Sequence, residues 1–201
     1  MTSVVEQRLR LSDPRTRLAL GLAGLVLSGL RIQHDEVPEG EQAVFRWVND
    51  LPDRLHPPAW LVMQVGTIGA APVAAAAAAM SGRRALAGRL LAGGVSTWLL
   101  AKGVKRIYRR PRPTALLDRT HCRGHEATGL GYVSGHAGIA TALAVTAWPE
   151  LGPVGRVAAV LAVPVVATSR IYVGAHLPFD VLGGAALGLA VEGAVSIRAG
   201  R

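Results

Sequence analysis

Two histidines, one carboxylate and a set of basic side chains stand at the ends of strongly apolar segments in three short stretches: Lys105 to Pro113 (KRIYRRPRP), Ser134-Gly135-His136, and Ser169 to Asp180 (SRIYVGAHLPFD). Cations that converge on an imidazole beside a carboxylate are the parts needed to hold a phosphate and attack it. Lys105 and Arg112 are seven positions apart, about two helical turns, so a helix continued to Arg110 would point both to one side. Pro111 and Pro113 then break that helix and fix the chain around Arg112. Arginine brings a planar fork suited to phosphate oxygens, and lysine a compact point charge. A basic patch lying against anionic lipid headgroups would use the same residues.

Ser134-Gly135-His136 opens an apolar run after Gly129-Leu130-Gly131. Amides at a helix start, aligned with the positive end of the dipole, make an anion site, and Gly135 lets a ligand approach the backbone. The alternative is a plain N-cap at Ser134 with an interfacial histidine at His136. His176 and Asp180 are four apart with Leu177-Pro178-Phe179 between them, which puts Asp180 in the first turn of the last helix and His176 just ahead of it. A carboxylate so placed can hold an imidazole N–H, fix the tautomer and raise the nucleophilicity of the other nitrogen. Arg170 closes the preceding apolar run, and a structural ion pair between Arg170 and Asp180 is the competing explanation.

Positioning these groups falls to six apolar runs, residues 18–30, 59–80, 85–104, 135–148, 157–173 and 179–197, each able to span or nearly span a bilayer. The 201-residue chain is 50% hydrophobic, with Gly 24 and a mean hydropathy of +0.33, and only 4% of it is aromatic. Ala, Leu, Val and Gly therefore form the apolar content, and small residues let helices in lipid approach closely. The composition predicts an all-α, polytopic membrane bundle of six transmembrane helices, one domain over 1–201. Between the first two runs, Asp35, Glu36, Glu39 and Glu41 precede Val44, Trp47, Val48 and Leu51 at helical spacing, and Pro52, Pro57 and Pro58 end the pattern. That segment reads as an additional interfacial amphipathic helix, serving either as a lip for lipid or as a packed connector.

Arg8, Arg10, Arg15 and Arg17 precede the first run, but Arg31-Ile32-Gln33-His34-Asp35 follows it with no small-residue cleavage site, so the run reads as a retained helix. With the N-terminus cytoplasmic, Arg83, Arg84, Arg89, Arg156, Arg198 and Arg201 also fall inside. The densest basic cluster, Lys105, Arg106, Arg109, Arg110 and Arg112, then faces outward together with the other two stretches, as an anionic substrate would require. The net charge of +9 does not indicate nucleic-acid binding, because the cations lie between apolar runs rather than on a soluble basic domain. Cys122 is the single cysteine and forms no intrachain disulfide.

In these motifs the chain resembles the type 2 phosphatidic acid phosphatase family. Lys105 with Arg112-Pro113 resembles its KX6RP motif, Ser134-Gly135-His136 its PSGH motif, and Ser169-Arg170 with His176 and Asp180 its SRX5HX3D motif. Val133 stands where the family usually has proline, a departure that bears on loop rigidity rather than on a reacting group. The resemblance implies that His176 attacks phosphorus to form a phosphohistidine and that Asp180 orients it. His136 would protonate the leaving oxygen and then activate water, while Lys105, Arg112, Arg170, Ser134 and Gly135 bind the phosphate oxygens. It implies neither metal nor cofactor, and no acidic cluster suited to Mg²⁺ stands beside the cations. His121, Cys122, His125 and Glu126 form a second cluster that could be a zinc site, a headgroup contact or an incidental polar loop.

The expected function is hydrolysis of a membrane lipid phosphate or diphosphate: phosphatidate, phosphatidylglycerophosphate or a polyprenyl carrier. Its partners would be that substrate and membrane lipids. Abundant Ala, Gly and Arg suggest a GC-rich bacterial gene and so a bacterial cell (inner, plasma) membrane, and the charge topology above places the site on the extracytoplasmic face. A lipid phosphotransferase passing the group to an alcohol, and a non-enzymatic lipid-phosphate binder or transporter, are the alternatives; the His176/Asp180 pairing disfavours the second.

Overall fold

The computed structural model describes residues 11–32, 36–125 and 127–200. Arg8, Arg10, Gln33, His34, Asp35, Glu126 and Arg201, invoked above, lie outside the described residues. Within them the regular structure is helical: α1 (Pro14–Gly29), α2 (Glu39–Asn49), α3 (His56–Met63), α4 (Ala70–Met80), α5 (Arg84–Tyr108), α6 (Gly135–Ala147), α7 (Pro153–Tyr172) and α8 (Pro178–Arg198), with a single turn at Pro113–Leu116. Proline at the first helical position opens α1, α7 and α8, where its missing N–H costs nothing. Asp13 caps α1 by accepting from the Arg15 amide at 2.9 Å.

Each apolar run of the sequence is helical, but the run over 59–80 is broken. Asp53–Gly66, which is α3 flanked by 3-10 turns at Asp53–Leu55 and Gln64–Gly66, meets α4 at a 66° bend. Pro72 would clash inside a continuous helix and instead sits in the first turn of α4. Gly66 lies against α6, where an added Cβ would stand 2.6 Å from the His136 carbonyl oxygen. Among the described residues two helices, α7 and α8, are long and apolar enough to cross a membrane, three if the bent pair counts as one span. Only 17% of the apolar window of α7 is buried in the protein, against 61% for α8. α8 is thus the central helix, and α7 offers its apolar flank outward.

α1 and α6 both pack along α8, and α5 lies against α6 and α4. The α6–α8 crossing is made by glycine: Gly138 lies on α6, and Gly184 and Gly188 lie on α8. Cβ atoms at Gly184 and Gly188 would collide with the Ser134 and Gly138 carbonyl oxygens. Backbone-to-backbone packing of this kind brings the Ser134 loop onto the first turn of α8, where the Ser134 amide donates to the Asp180 carbonyl at 2.8 Å.

α2 is helical as its spacing predicts, but it presents a different face. Glu41, Phe45, Val48 and Asn49 are buried, whereas Val44 and Trp47 are exposed. Asn49 fixes it: its side-chain amide donates to the carbonyls of Tyr172 (2.9 Å) and His121 (3.0 Å), and its carbonyl oxygen accepts from the His121 amide (2.8 Å). Arg123 reinforces the joint, donating to the carbonyls of Asn49, Leu51 and Tyr172 and stacking over the Tyr172 ring at 4.1 Å. α2 is therefore bound to the loop that carries the site rather than lying loosely beside the bundle.

Candidate active site

The three motif stretches meet at one end of the bundle, formed by the C-terminal ends of α5 and α7 and the N-terminal ends of α6 and α8. Reversal of the chain after α5 is local: Arg109 adopts φ 51° as the C-cap, and Pro111 and Pro113 prevent further helix. Gly174 (φ 75°) turns the chain between α7 and α8; a Cβ there would also stand 2.8 Å from the His121 carbonyl oxygen. These two turns place Arg112 beside His176.

His176 is buried. Its Nε2 lies 3.4 Å from an Arg112 terminal nitrogen, and its Nδ1 lies 3.5 Å from Asp180 Oδ2. The second separation is within ion-pair range but long for a hydrogen bond, and Nδ1 has no hydrogen-bond partner. Asp180 is held more tightly than the imidazole: Oδ2 accepts from the Leu177 amide at 2.9 Å, and Oδ1 from Arg110 at 3.0 Å. It occupies the N3 position of α8, where the helix dipole favours a carboxylate.

Around the imidazole stand Lys105 from α5, Arg112 from the following turn, His136 from α6 and Arg170 from α7. Burial first, then Lys105, Arg112, Arg170 and His136, drive the His176 pKa well below its ordinary value, so the ring is neutral. Lys105 is braced by the carbonyls of Leu130 (2.7 Å) and Gly131 (2.8 Å), and Arg112 by those of Ala175 (2.6 Å) and Thr128 (3.0 Å). Arg170 donates to Met63 Sδ at 3.3 Å and keeps a buried Nε with no hydrogen-bond partner. Gly131 has to be glycine by contact, since a Cβ would stand 2.8 Å from the Pro111 carbonyl oxygen and 3.0 Å from Asp180 Oδ2. Ser134 caps α6, and an added Cβ at Gly135 would meet only open space. All eight residues singled out from the sequence, Lys105, Arg112, Ser134, Gly135, His136, Arg170, His176 and Asp180, therefore belong to one end of the bundle.

Two differences from the sequence reading concern charge. Asp180 pairs with Arg110, not with Arg170, so the structural ion pair weighed above is formed by another arginine. Arg110 is accordingly no part of an outward basic cluster: its side chain is fully buried and also bridges Glu41 through contacts of 2.6 and 3.1 Å. Burial opposes its charge, but both carboxylates outweigh that effect and raise its pKa. Glu41 escaped the sequence reading, which weighed the apolar positions of α2; its spacing with Phe45 and Val48, i, i+4, i+7, marks it on the buried stripe.

His121 Nε2 lies 3.3 Å from Asp50 Oδ1. Among the described residues no group of three His, Cys, Asp or Glu side chains could hold a metal ion.

The family model described as PAP2 superfamily matches residues 82–199. Two solved structures share the fold. LpxE from Aquifex aeolicus superposes with a TM-score of 0.71 at 20% identity, over 78% of this chain and 94% of that one. The transmembrane PAP2-type phosphatidylglycerolphosphate phosphatase from Bacillus subtilis superposes with a TM-score of 0.74 at 22% identity, over 92% and 96% respectively. No curated protein matches the chain in sequence.

Proposed function

The chain belongs to the PAP2 superfamily, the type 2 phosphatidic acid phosphatases, and from that premise we propose that it hydrolyses a lipid phosphate or diphosphate through a phosphohistidine on His176. The observation that carries this reading is the pairing of a buried, neutral His176 with Asp180 on one nitrogen and Arg112 on the other. Nε2 attacks phosphorus, a P–N bond forms and the bond from phosphorus to the lipid oxygen breaks. Asp180 stabilises the positive charge that the ring acquires. His136 gives a proton to the leaving oxygen, and the negative charge of the bound phosphate offsets the three cations beside it. His136 then takes a proton from water as the P–N bond breaks, releasing phosphate.

Lys105, Arg112 and Arg170 supply the charge that a metal ion supplies in other phosphoryl-transfer sites, helped by the Ser134 hydroxyl and the Gly135 amide. The protein would cross a bacterial cell membrane six times with this end extracytoplasmic. The lipid's tails would stay in the bilayer while its headgroup enters among the cations. Trp47 and Trp60, both exposed on this side of the bundle, suit the headgroup level.

Phosphate release by detergent-purified protein in EDTA, from phosphatidate, phosphatidylglycerophosphate and polyprenyl mono- and diphosphates, tests the reading against His176→Ala. The parent should release phosphate from at least one lipid and the variant from none. Release that survives in the variant, or that requires added metal, would exclude the mechanism; phosphate appearing on an added alcohol would assign a transferase instead.

A further inference from the structure

We infer that Glu41, on the amphipathic helix α2, is a positioning residue of the catalytic centre: by neutralising Arg110 it leaves the Asp180 carboxylate free to act on His176. The inference rests on the phosphatase reading above. Three fully buried charges form a row, Glu41 to Arg110 to Asp180, with contacts of 2.6 Å and 3.0 Å, and His176 Nδ1 stands 3.5 Å beyond. Taken alone, Arg110 and Asp180 are a neutral pair whose guanidinium would cancel much of the carboxylate's field at the imidazole. With Glu41 the row carries one net negative charge, and its far end is Asp180.

That excess matters at this position because the other charged or titratable groups facing the ring, Lys105, Arg112, Arg170 and His136, all oppose a positive imidazole. An imidazole that forms a bond to phosphorus becomes positive, and among the described residues Asp180 is the one carboxylate against it. Glu41 also fixes where that carboxylate stands. Its Oε1 accepts from the Phe179 amide at 2.9 Å, one residue before Asp180, so it caps the first turn of α8 from another helix. α2 is therefore a working part of the site, joined to it by a side chain rather than by apolar contact alone.

The test compares Glu41→Gln, which keeps the shape and removes the charge, with Glu41→Asp, which keeps the charge and withdraws it slightly. Initial rates on the best lipid phosphate, pH profiles and orthovanadate affinity are measured for each; vanadate, which bonds to a histidine nitrogen in the geometry of phosphoryl transfer, needs no turnover. E41Q should lower kcat about tenfold, the scale of one charge lost at short range, with KM within about twofold. Its acid limb in kcat/KM should move to lower pH, because a less basic His176 loses its proton sooner, and its vanadate affinity should fall in parallel. E41D should lie between the parent and E41Q. A folded E41Q with the parent's kcat and vanadate affinity overturns the inference, as does an E41D no better than E41Q, since a role in shape alone would favour the glutamine.

If E41Q does not fold, the pH profile of E41D decides: an acid limb in kcat/KM moved to lower pH, as withdrawal of the charge requires, supports the coupling, and an acid limb left at the parent's position refutes it whatever the kcat. A parent that binds vanadate but hydrolyses no lipid phosphate refutes the phosphatase reading and leaves the coupling to be judged by vanadate affinity. A parent that does neither overturns both.

Discussion

At the scale of single residues, charge is distributed by burial more than by residue type. Five basic residues crowd positions 105 to 112, but their roles divide: Arg110 is consumed by two carboxylates, while Lys105 and Arg112 are braced by carbonyls and face His176. Arg112→Ala or Arg170→Ala should therefore reduce kcat/KM by about 2–4 kcal/mol of transition-state stabilisation, the usual loss for one preorganised donor. Initial rates over a range of mixed-micelle lipid concentrations check this, and a loss of less than tenfold would remove the residue from the phosphate grip. Arg110→Ala should do more damage, because it strands two buried carboxylates.

His176 makes a pH prediction as well. Its folded pKa is depressed, so the native ring stays neutral, as the proposed nucleophile must, when pH falls below about 6.5, the ordinary value. The acid limb of kcat/KM attributable to His176 should lie below that value. Over the same window the unfolded chain binds a proton that the native ring refuses. Stability therefore falls as the pH drops from about 6.5 toward the folded pKa. A pH series of unfolding midpoints for the parent against His176→Ala would isolate this contribution; an acid limb above pH 7 would contradict the electrostatics.

At the scale of elements, the site depends on how closely α6 and α8 approach. Gly184 and Gly188 leave no room for a side chain against the Ser134 and Gly138 carbonyls, so the cap of α6 and the first turn of α8 move together. Gly188→Ala should destabilise the protein by about 1–3 kcal/mol through overpacking and lower kcat, because His136 and Asp180 no longer keep their spacing. Gly103→Ala on α5, where a Cβ would meet open space, is the matched control. Thermal unfolding midpoints in detergent, taken with rates on the same samples, decide the matter; an unaltered G188A would show that α6 and α8 separate without cost. The glycines of α6 and α8 were visible as composition, but their pairing across two helices distant in sequence was not. The bend between α3 and α4 was likewise half legible: Gly66, Gly69 and Pro72 are helix punctuation, and what makes the break useful is the approach of Gly66 to His136.

At the scale of the whole molecule, one end collects the three motif stretches while Arg15, Arg17, Arg83, Arg84, Arg156 and Arg198 gather at the other. Single-cysteine labelling can orient it. Cys122 is exposed on the loop joined to α2 and is the chain's one cysteine, so a membrane-impermeant maleimide should label it in intact cells. A Cys122→Ser/Ser81→Cys variant, with the thiol in the exposed turn between α4 and α5, should be labelled only after permeabilisation. The reverse pattern would turn the site toward the cytoplasm.

Some of this was determined by the sequence alone. Apolar runs long enough to be helices, prolines that end them, and three motifs at their ends are local properties, set by hydropathy and by the few residues that interrupt a backbone. The helical class, and the eight residues that gather at one end of the bundle, were legible for that reason. The partner of Asp180 was decided only by tertiary structure, because Arg110, Arg112 and Arg170 are equally basic in sequence and differ only in where packing directs them. Glu41 was decided the same way. It lies 69 residues from Arg110 and 138 from Phe179, and a buried carboxylate becomes favourable only when folding brings it a guanidinium and an amide to neutralise and satisfy it.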